Sequence, residues 1–222
     1  MEKISVIIPA YNAEKYLAEA VASVRSQNWR DEMEIIIIDD GSVDGTVSVA
    51  RVTGDLVLSK RRGGAASARN MGIRNSSGEL LFFLDADDLV TNEALERLYE
   101  PMLTDKEVIA VFGRAQDFIS PELSEEQRSR LQVRREPYGG VLPGCALIRR
   151  EAFERIGLFE ESLKTGETVA WQMRLREAKM PVVTVDYVAL RRRLHLTNTG
   201  RVSIRQEMKD YAAILRERMR KG

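Results

Sequence analysis

The chain has 222 residues, a length typical of one α/β domain or of one domain with a small extension. Hydrophobic residues make up 44% of the sequence and charged residues 31%, which is the balance of an ordinary globular protein. Lys plus Arg and Asp plus Glu both number 34, so the formal net charge is zero. This charge balance argues against a general nucleic-acid binder.

Cysteine usage and hydropathy indicate the compartment. Cys145 is the single cysteine, which excludes an internal disulfide and fits a reducing environment. No apolar run approaches the roughly 20 residues of a membrane span. The first residues, 1–4, lead directly into a predicted strand and do not have the pattern of a signal peptide. The sequence therefore predicts a cytoplasmic protein.

Short apolar runs bounded by polar or turn residues predict seven strands. They cover residues 4–8, 34–38, 55–59, 80–84, 108–112, 145–148 and 181–185. The first four alternate with helical patterns, so right-handed crossovers and a parallel sheet are expected. Pro9 is expected to end the hydrogen-bond ladder of the first strand, because proline has no backbone N–H.

Helices are predicted from apolar residues at helical spacing and from capping residues. Asn12 is expected to cap the first helix, Asp44 a short helix that extends through residue 49, and Thr91 the helix that follows it. Further helices are predicted from residue 65 onward and over residues 151–156, 167–178 and 204–219.

Three carboxylates lie within four positions directly after the strand predicted over residues 80–84: Asp85, Asp87 and Asp88. In an open parallel sheet, ligands lie beyond the carboxyl ends of the strands. Carboxylates this close raise one another's pKa, and a divalent cation relieves their repulsion. Mg²⁺ or Mn²⁺ takes one or two protein carboxylates together with substrate phosphates. The pattern favours a metal site over the alternative, in which these residues only cap the next helix.

A second candidate ligand site precedes the helix that begins at residue 65. Gly63 and Gly64 leave backbone N–H groups free at the positive end of the helix dipole, which suits a phosphate. Arg69 would add a bidentate donor. The alternative is a surface turn with an arginine on the helix face, and the two interpretations have equal weight. The first strand is not followed by the Gly-x-Gly-x-x-Gly of a dinucleotide fold, and the sequence has no P-loop.

The segment 120–137 is polar, strongly charged and free of aromatic residues. Such charge runs are mostly solvated faces or mobile loops. The functional alternative is a flexible lid or an acceptor-binding loop. The basic end of the helix predicted over 204–219 has a similar pair of interpretations: it could contact an anionic membrane surface, or it could be a solvated face that complements the helix dipole.

Four blocks of the sequence, in order and at family-like spacing, resemble the family-2 glycosyltransferases, which have the GT-A fold. The blocks are SVIIPAYN at 5–12, IIDDGSVDGT at 37–46, GAASARNMG at 64–72 and FLDADD at 83–88. The resemblance continues more loosely through 153–159 and 192–195 and covers nearly the whole chain. It implies an α/β fold of the GT-A type: a Rossmann-like, mostly parallel nucleotide-binding sheet flanked by helices, with a smaller C-terminal acceptor-side part.

The resemblance also implies a domain organisation and a reaction. One GT-A domain would occupy residues 1–222, with a nucleotide-sugar-binding half at 1–118, an acceptor-side half at 119–203 and a C-terminal helix at 204–222. The family moves a sugar from a nucleotide-sugar, here a UDP-sugar or a similar donor, to an acceptor hydroxyl, generally with inversion and with Mg²⁺ or Mn²⁺. The implied partners are this donor and a glycan or glycolipid acceptor, as in polysaccharide or lipid-linked glycan synthesis.

The family's site residues carry over to matching positions of this sequence. For the nucleotide, the resemblance implies Pro9, Tyr11, Asn12, Asp39, Asp40, Arg69, Asp85, Ala86 and Asp87. For the metal, it implies Asp87, Asp88 and His195. The assignment of His195, the only histidine, rests on the resemblance alone.

The sequence departs from the family at the start of the late helix. The family usually carries Glu-Asp there, and that Asp is the usual general base, but this chain has Glu167 and Thr168. A threonine cannot take the proton of an acceptor hydroxyl at neutral pH. Glu167 is the nearest carboxylate and is the candidate base; its alternative role is a first-turn acid that complements the helix dipole.

Two functions therefore stay open. The first is a transferase with Glu167 as its base, and the second is a nucleotide-sugar-binding protein with weak or no transfer activity. A nucleotidyltransferase that makes the sugar donor is disfavoured, because it would carry a Gly-rich, basic loop directly after the first strand and residues 9–12 are not such a loop.

Overall fold

The computed structural model describes residues 2–139, 142–163 and 165–198. The helix predicted over 204–219, with its basic end, lies outside these residues. In the described part of the chain, no helix combines the length and the apolar character needed to cross a membrane.

The described residues form nine strands, seven α-helices and one 3₁₀ turn. The strands are β1 (Ile4–Ala10), β2 (Met33–Asp39), β3 (Leu56–Ser59), β4 (Leu80–Phe83), β5 (Leu89–Val90), β6 (Ala110–Ile119), β7 (Tyr138–Gly139), β8 (Ala146–Arg149) and β9 (Val182–Leu194). The helices are α1 (Leu17–Arg25), α2 (Thr46–Thr53), α3 (Ala65–Arg74), α4 (Ala94–Thr104), α5 (Glu125–Ser129), α6 (Arg150–Ile156) and α7 (Glu167–Glu177), and the 3₁₀ turn is Pro143–Cys145.

The strands form a single mixed sheet in the order β3-β2-β1-β4-β8-β6-β9-β5, and β7 pairs with β6. The first four strands are parallel, as predicted. β8 then lies antiparallel between β4 and β6, while β9 runs parallel to β6. The parallel half of the sheet is therefore joined to a second, mixed half through β8.

The sheet is buried on both faces because alternate residues of its strands pack in opposite directions. On β1, Val6 and Ile8 belong to the core that includes residues of α1, α2 and α4. Ile7 belongs to the core on the other face, which includes residues of α3, α6 and α7. The continuous apolar runs from which the strands were predicted reflect this two-sided burial.

Pro9 does not end β1, contrary to the prediction. The carbonyl of Ile7 accepts from Leu84 on the β4 side, and the carbonyl of Ala10 accepts from Asp40 on the β2 side. Successive residues therefore point to alternate neighbours, and Pro9 points to the β4 side, past the last residue that β4 pairs with β1. The missing N–H costs no ladder hydrogen bond there.

The predicted caps Asn12 and Thr91 are also wrong. α1 begins at Leu17, and the Asn12 side chain instead accepts from Val43 N at 3.0 Å. The Thr91 hydroxyl donates to the Val188 carbonyl at 2.5 Å. In both cases a backbone group distant in sequence competes successfully for the side chain.

Asp44 does meet the start of α2, since its carboxylate accepts from Thr46 N at 3.0 Å. That helix continues to Thr53, beyond the predicted end at residue 49. The segment 120–137 is not wholly irregular, because Ser124 and Gln127 form a capping box that starts α5. β6 and β9 are longer than predicted, and β5 and β7 were not predicted.

We predict that Gly72→Ala destabilises the fold by about 1–3 kcal/mol, the usual cost of overpacking a core. A Cβ at Gly72 of α3 would lie 2.3 Å from Cγ2 of Ile7 on β1, so the helix would have to move away from the sheet. Urea unfolding measures the effect. Gly139→Ala is the matched control, because no atom of the described residues lies within 4 Å of its Cβ position. Equal stability of the two variants would contradict the prediction.

Candidate active site

The ends of β1, β2 and β4 bring the predicted site residues to one edge of the sheet, called here the carboxyl edge. Ala10 of β1 pairs with Asp39 of β2, and Ile7 pairs with Phe83 of β4. Residues that follow these strands are consequently neighbours, although they are far apart in sequence. Pro9 is partly exposed at this edge and Ala86 is buried among the acids.

Asp40 shapes the loop that precedes α3. One carboxylate oxygen accepts from Lys60 Nζ and Gly63 N, and the other from Gly64 N, all at 2.8 Å. Asp40 is buried, and both of its oxygens are used inside the protein. The Gly63–Gly64 entry to α3, for which the sequence left both a phosphate site and a surface turn open, thus already has a carboxylate on its backbone N–H groups.

Asp39 and Tyr11 border the opening beside that loop. Asp39 is buried and accepts from Ser42 N at 3.1 Å. The Tyr11 ring is 40% exposed and lies under the Arg62 guanidinium, whose carbon is 3.4 Å from the ring centroid. Asn12 donates its backbone N–H to Ser42 at 2.9 Å, which ties the two loops together. Arg62 was missed from sequence, although the basic run 60–62 before the glycines was the available signal.

Arg69 is a buried bridge between two carboxylates. Its Nη1 donates to Glu167 at 2.5 Å, and its Nη2 donates to Asp85 at 2.7 Å. The side chains of Arg69, Glu167 and Asp85 are 4%, 12% and 38% exposed, respectively. Burial acts against the charge of Arg69, but the two carboxylates outweigh it and raise its pKa above the usual value. The sequence placed these residues in one site but did not pair them.

Thr168, the residue that stands at the family's usual base position, lies outside this bridge. It lines a small apolar cavity together with Phe112 and Trp171. The carboxylate that the start of α7 presents to the bridge is therefore Glu167.

Asp87 and His195 meet across the site. Nε2 of His195 lies 2.8 Å from Oδ2 of Asp87, and Nδ1 lies 2.9 Å from the Thr197 hydroxyl. Asn198 also donates to Asp87, at 3.3 Å. The Tyr16 ring packs against the imidazole with centroids 4.8 Å apart, which fixes the plane of the imidazole.

Asp88 lies behind this pair and holds β9 in place. It accepts from Arg193 N at 2.8 Å, and Arg193 Nε donates to the Asp87 carbonyl at 2.8 Å. The Arg193 guanidinium also donates to Glu19 of α1 at 2.6 Å. Burial raises the pKa of Asp88 well above its usual value, and the charges of Asp87 and Asp85 add to the effect. The anchoring role of Arg193 was missed, because nothing local distinguishes it from Arg191 and Arg192.

The side-chain atoms of Asp87 and His195 are suitable ligands for a divalent cation that arrives with a substrate. Two neighbouring ligands of a metal at about 2.1 Å are separated by about 3 Å, close to the spacing between His195 Nε2 and Asp87 Oδ2. Within the residues that the structure covers, no group of three or more His, Cys, Asp or Glu forms a cage. Mg²⁺ and Mn²⁺ commonly take one or two protein ligands and complete their shell with phosphate and water.

Glu122 joins the charged segment 120–137 to α1. It accepts from Tyr16 OH at 2.7 Å and from Ser120 at 2.6 Å, and it pairs with Lys15 at 2.7 Å. Partial burial acts to raise the pKa of Glu122, but the hydrogen bonds from Lys15, Ser120 and Tyr16 lower it well below its usual range. The first residues of the segment are thus tied to Tyr16, the residue that directly precedes α1, and through its ring to His195.

The fold and the site define a glycosyltransferase of the GT-A type. The chain matches the model of glycosyl transferase family 2 over residues 5–157 and belongs to this family. An uncharacterized glycosyltransferase of Rickettsia typhi is 32% identical over 227 residues, which cover 95% of this chain and 70% of that protein. The protein is therefore an enzyme of the glycosyltransferase class, as predicted from its motifs.

Solved structures confirm the predicted fold. S. aureus TarS 1–349 in complex with UDP-GlcNAc superposes with a TM-score of 0.68 at 21% identity, covering 88% of this chain and 60% of that one. The mannosyltransferase PcManGT from Pyrobaculum calidifontis, in complex with GDP-Man and Mn²⁺, gives a TM-score of 0.71 at 21% identity and covers 100% of this chain and 65% of that one. The chain thus spans less than two thirds of either solved chain.

We predict that Glu122→Gln lowers the free energy of unfolding at pH 7 by about 1 kcal/mol, the usual contribution of a hydrogen-bonded polar group. The folded pKa lies below the unfolded value of about 4.3, so the contribution of the carboxylate is complete above that value. It is lost as pH falls through the folded pKa. The difference between variant and wild type should therefore shrink as the pH falls below about 4.

Urea unfolding at pH 7, 5 and 3.5 measures this difference. Glu125→Gln, at an exposed carboxylate of α5, is the control and should change stability little at any pH. A gap for Glu122→Gln that is independent of pH, or no gap at pH 7, would contradict the prediction.

Proposed function

We propose that the protein transfers a sugar from a UDP-sugar to an acceptor hydroxyl, with inversion and with the help of Mg²⁺ or Mn²⁺. The observation that carries the proposal is the convergence of Tyr11, Asp39, Asp85 and the Asp87–His195 pair at the carboxyl edge. A glycan or glycolipid acceptor, and a role in polysaccharide or lipid-linked glycan synthesis, follow from the family resemblance. We also propose a cytoplasmic location, since a chain with a single cysteine has no internal disulfide and fits a reducing environment.

The proposed donor roles follow the order of the residues along this edge. Pro9, Tyr11 and Asn12 would flank the base and ribose, and Asp39 would bond the base through the oxygen that Ser42 does not use. Uracil as the base is supported by the TarS structure, which contains UDP-GlcNAc, whereas PcManGT contains GDP-Man. The halves 1–118 and 119–203 would bind donor and acceptor respectively.

The metal would be held by Asp87 and His195, with Asp88 buried behind them. A bound cation would supply Lewis-acid stabilisation of the diphosphate leaving group. The protein's own contribution is to fix the two ligands: Thr197 and Tyr16 orient the imidazole, and Asn198 donates to Asp87. Asp85, Asp87 and Asp88 lie within four positions, and a cation would relieve the repulsion among their carboxylates.

Glu167 is proposed as the general base. An inverting displacement needs a group that accepts the proton of the attacking hydroxyl as the new glycosidic bond forms and the bond to the diphosphate breaks. Glu167 lies at the start of α7 and shares Arg69 with Asp85, which sets it at the same edge as the donor residues. Thr168 faces the apolar cavity and offers no alternative.

A second candidate function is nucleotide-sugar binding with weak or no transfer. It is favoured by one observation: the carboxylate of Glu167 is already engaged by Arg69, and Thr168 has replaced the usual acid. This alternative predicts a complete donor site without turnover.

We predict that UDP binds in the presence of Mn²⁺ and at least tenfold more weakly with a chelator or in Asp87→Asn, because loss of the anionic ligand weakens the metal site. Isothermal titration calorimetry measures the dissociation constant. Asp186→Asn, at an exposed carboxylate of β9, is the control and should bind UDP normally. GDP is titrated in parallel, so that binding of GDP alone would reject uracil but retain a nucleotide site. Binding of neither nucleotide would refute the proposed function.

We predict that Glu167→Gln lowers kcat by about 10²- to 10⁴-fold, the usual contribution of a general base, while the UDP dissociation constant stays within about twofold. Release of UDP from UDP-GlcNAc and UDP-glucose, with a panel of simple glycosides as acceptors, measures turnover. Glu154→Gln, on the exposed side of α6, is the control. Unchanged turnover would exclude Glu167 as the base. Binding of UDP without turnover in the wild type would favour the second candidate function.

A further inference from the structure

We infer that Arg69 is a positioning residue that aligns Glu167 with Asp85, and that it does not bind the nucleotide as its sequence motif predicts. The inference rests on the proposed role of Glu167 as the base. It assigns to Arg69 a place between the donor-side and acceptor-side parts of the site.

The first argument is that Arg69 has little to offer a ligand. The side chain is 4% exposed, and both terminal nitrogens are taken by carboxylates at 2.5 and 2.7 Å. The remaining donor, Nε, is buried and has no hydrogen-bond partner among the described residues. The Phe159 ring lies 5.9 Å from the guanidinium carbon. A diphosphate would therefore have to compete with Asp85 and Glu167 for a guanidinium that is almost fully buried.

The second argument concerns what the bridge connects. Asp85 follows β4, in the parallel half of the sheet, and Glu167 begins α7, which packs with α6 and β8 in the same core cluster as α3. Arg69 itself belongs to α3, which is packed directly on β1 through Gly72 and Ile7. The guanidinium is therefore carried by a helix that packs directly on β1, and it binds one acid that follows β4 and one acid that begins α7.

The third argument is geometric. A guanidinium is planar and presents two donors at a fixed separation, so it sets the distance between the two carboxylates that it binds. A lysine ammonium is a single centre and cannot reproduce that separation. Catalysis by a base is sensitive to position, since a displacement of about 1 Å can cost about 100-fold in rate. Loss of the paired guanidinium nitrogens of Arg69 should therefore affect turnover much more than binding of the nucleotide-sugar.

The decisive experiment compares Arg69→Lys, Glu167→Gln and the double variant in the intact chain. For Arg69→Lys, we expect kcat to fall about 100-fold and the dissociation constant of UDP with Mn²⁺ to stay within about twofold. In the Glu167→Gln background, Arg69→Lys should cost little further, because the group that it positions is gone. Arg74→Lys is the matched control: it lies on the same helix, is exposed, and should leave both quantities unchanged.

Three results would overturn the inference. A tenfold or greater loss of UDP affinity in Arg69→Lys, matched by the same loss for inorganic pyrophosphate, would show that Arg69 contacts the nucleotide. Multiplicative losses of kcat in the double variant would show that Arg69 acts independently of Glu167. A lower unfolding midpoint of Arg69→Lys without a selective loss of kcat would show a purely structural role and would likewise overturn the inference.

Two further measurements test the inference if Arg69→Lys does not fold or if the wild type shows no turnover. If Arg69→Lys does not fold, Glu167→Asp withdraws the carboxylate by one methylene and should give the same pattern of lost kcat and retained UDP affinity. If the wild type binds UDP but does not turn over, the proposed function fails. The double-variant cycle is then measured by urea unfolding, where additive effects would overturn the Arg69–Glu167 coupling.

Discussion

The constraint on which the rest of the structure depends is the excess of negative charge where β4 ends. Asp85, Asp87 and Asp88 lie within four residues, and like charges at that spacing are costly in a protein interior. Each is compensated by a group from elsewhere in the chain: the Arg69 guanidinium, the His195 imidazole and the Arg193 backbone N–H, respectively. A fold that keeps these acids together must bring α3 and the end of β9 to the same edge of the sheet.

That requirement accounts for the form of the second half of the sheet. β9 is 13 residues long and runs parallel to β6 as far as Leu194, so it delivers His195 beside Asp87. Arg193 then locks the arrangement, since it bonds the Asp87 carbonyl, Ser120 and Glu19 at once. Glu122 adds a second tie between the same region and α1 through Tyr16. The two halves of the site are thus joined by buried polar contacts as well as by the apolar core.

The sequence predicts well the features that depend on local patterns. The first four strands, their parallel order and the position of the acids at strand ends follow from short apolar runs and their boundaries. The errors share another physical origin, which is competition from distant groups. Asn12 and Thr91 were expected to cap helices, yet each found a partner more than 30 residues away. The length of β9 was missed because Arg191, Arg192 and Arg193 interrupt its apolar character. The Arg69–Glu167 pair spans 98 positions and leaves no local trace.

The replacement of the usual acid by Thr168 agrees with the charges in this part of the site. A carboxylate at this position would face the cavity lined by Phe112 and Trp171, where no described cation lies among the lining residues. An unpaired carboxylate beside apolar side chains is unfavourable even at a half-buried position, whereas a threonine hydroxyl and methyl group are tolerated there. Arg69 already has two carboxylate partners, so a third acid at this point would find both of its terminal nitrogens occupied. The active site has thus kept, at the start of α7, the one acid that a guanidinium stabilises. We therefore propose that proton transfer there uses the Glu167 carboxylate, which Arg69 binds.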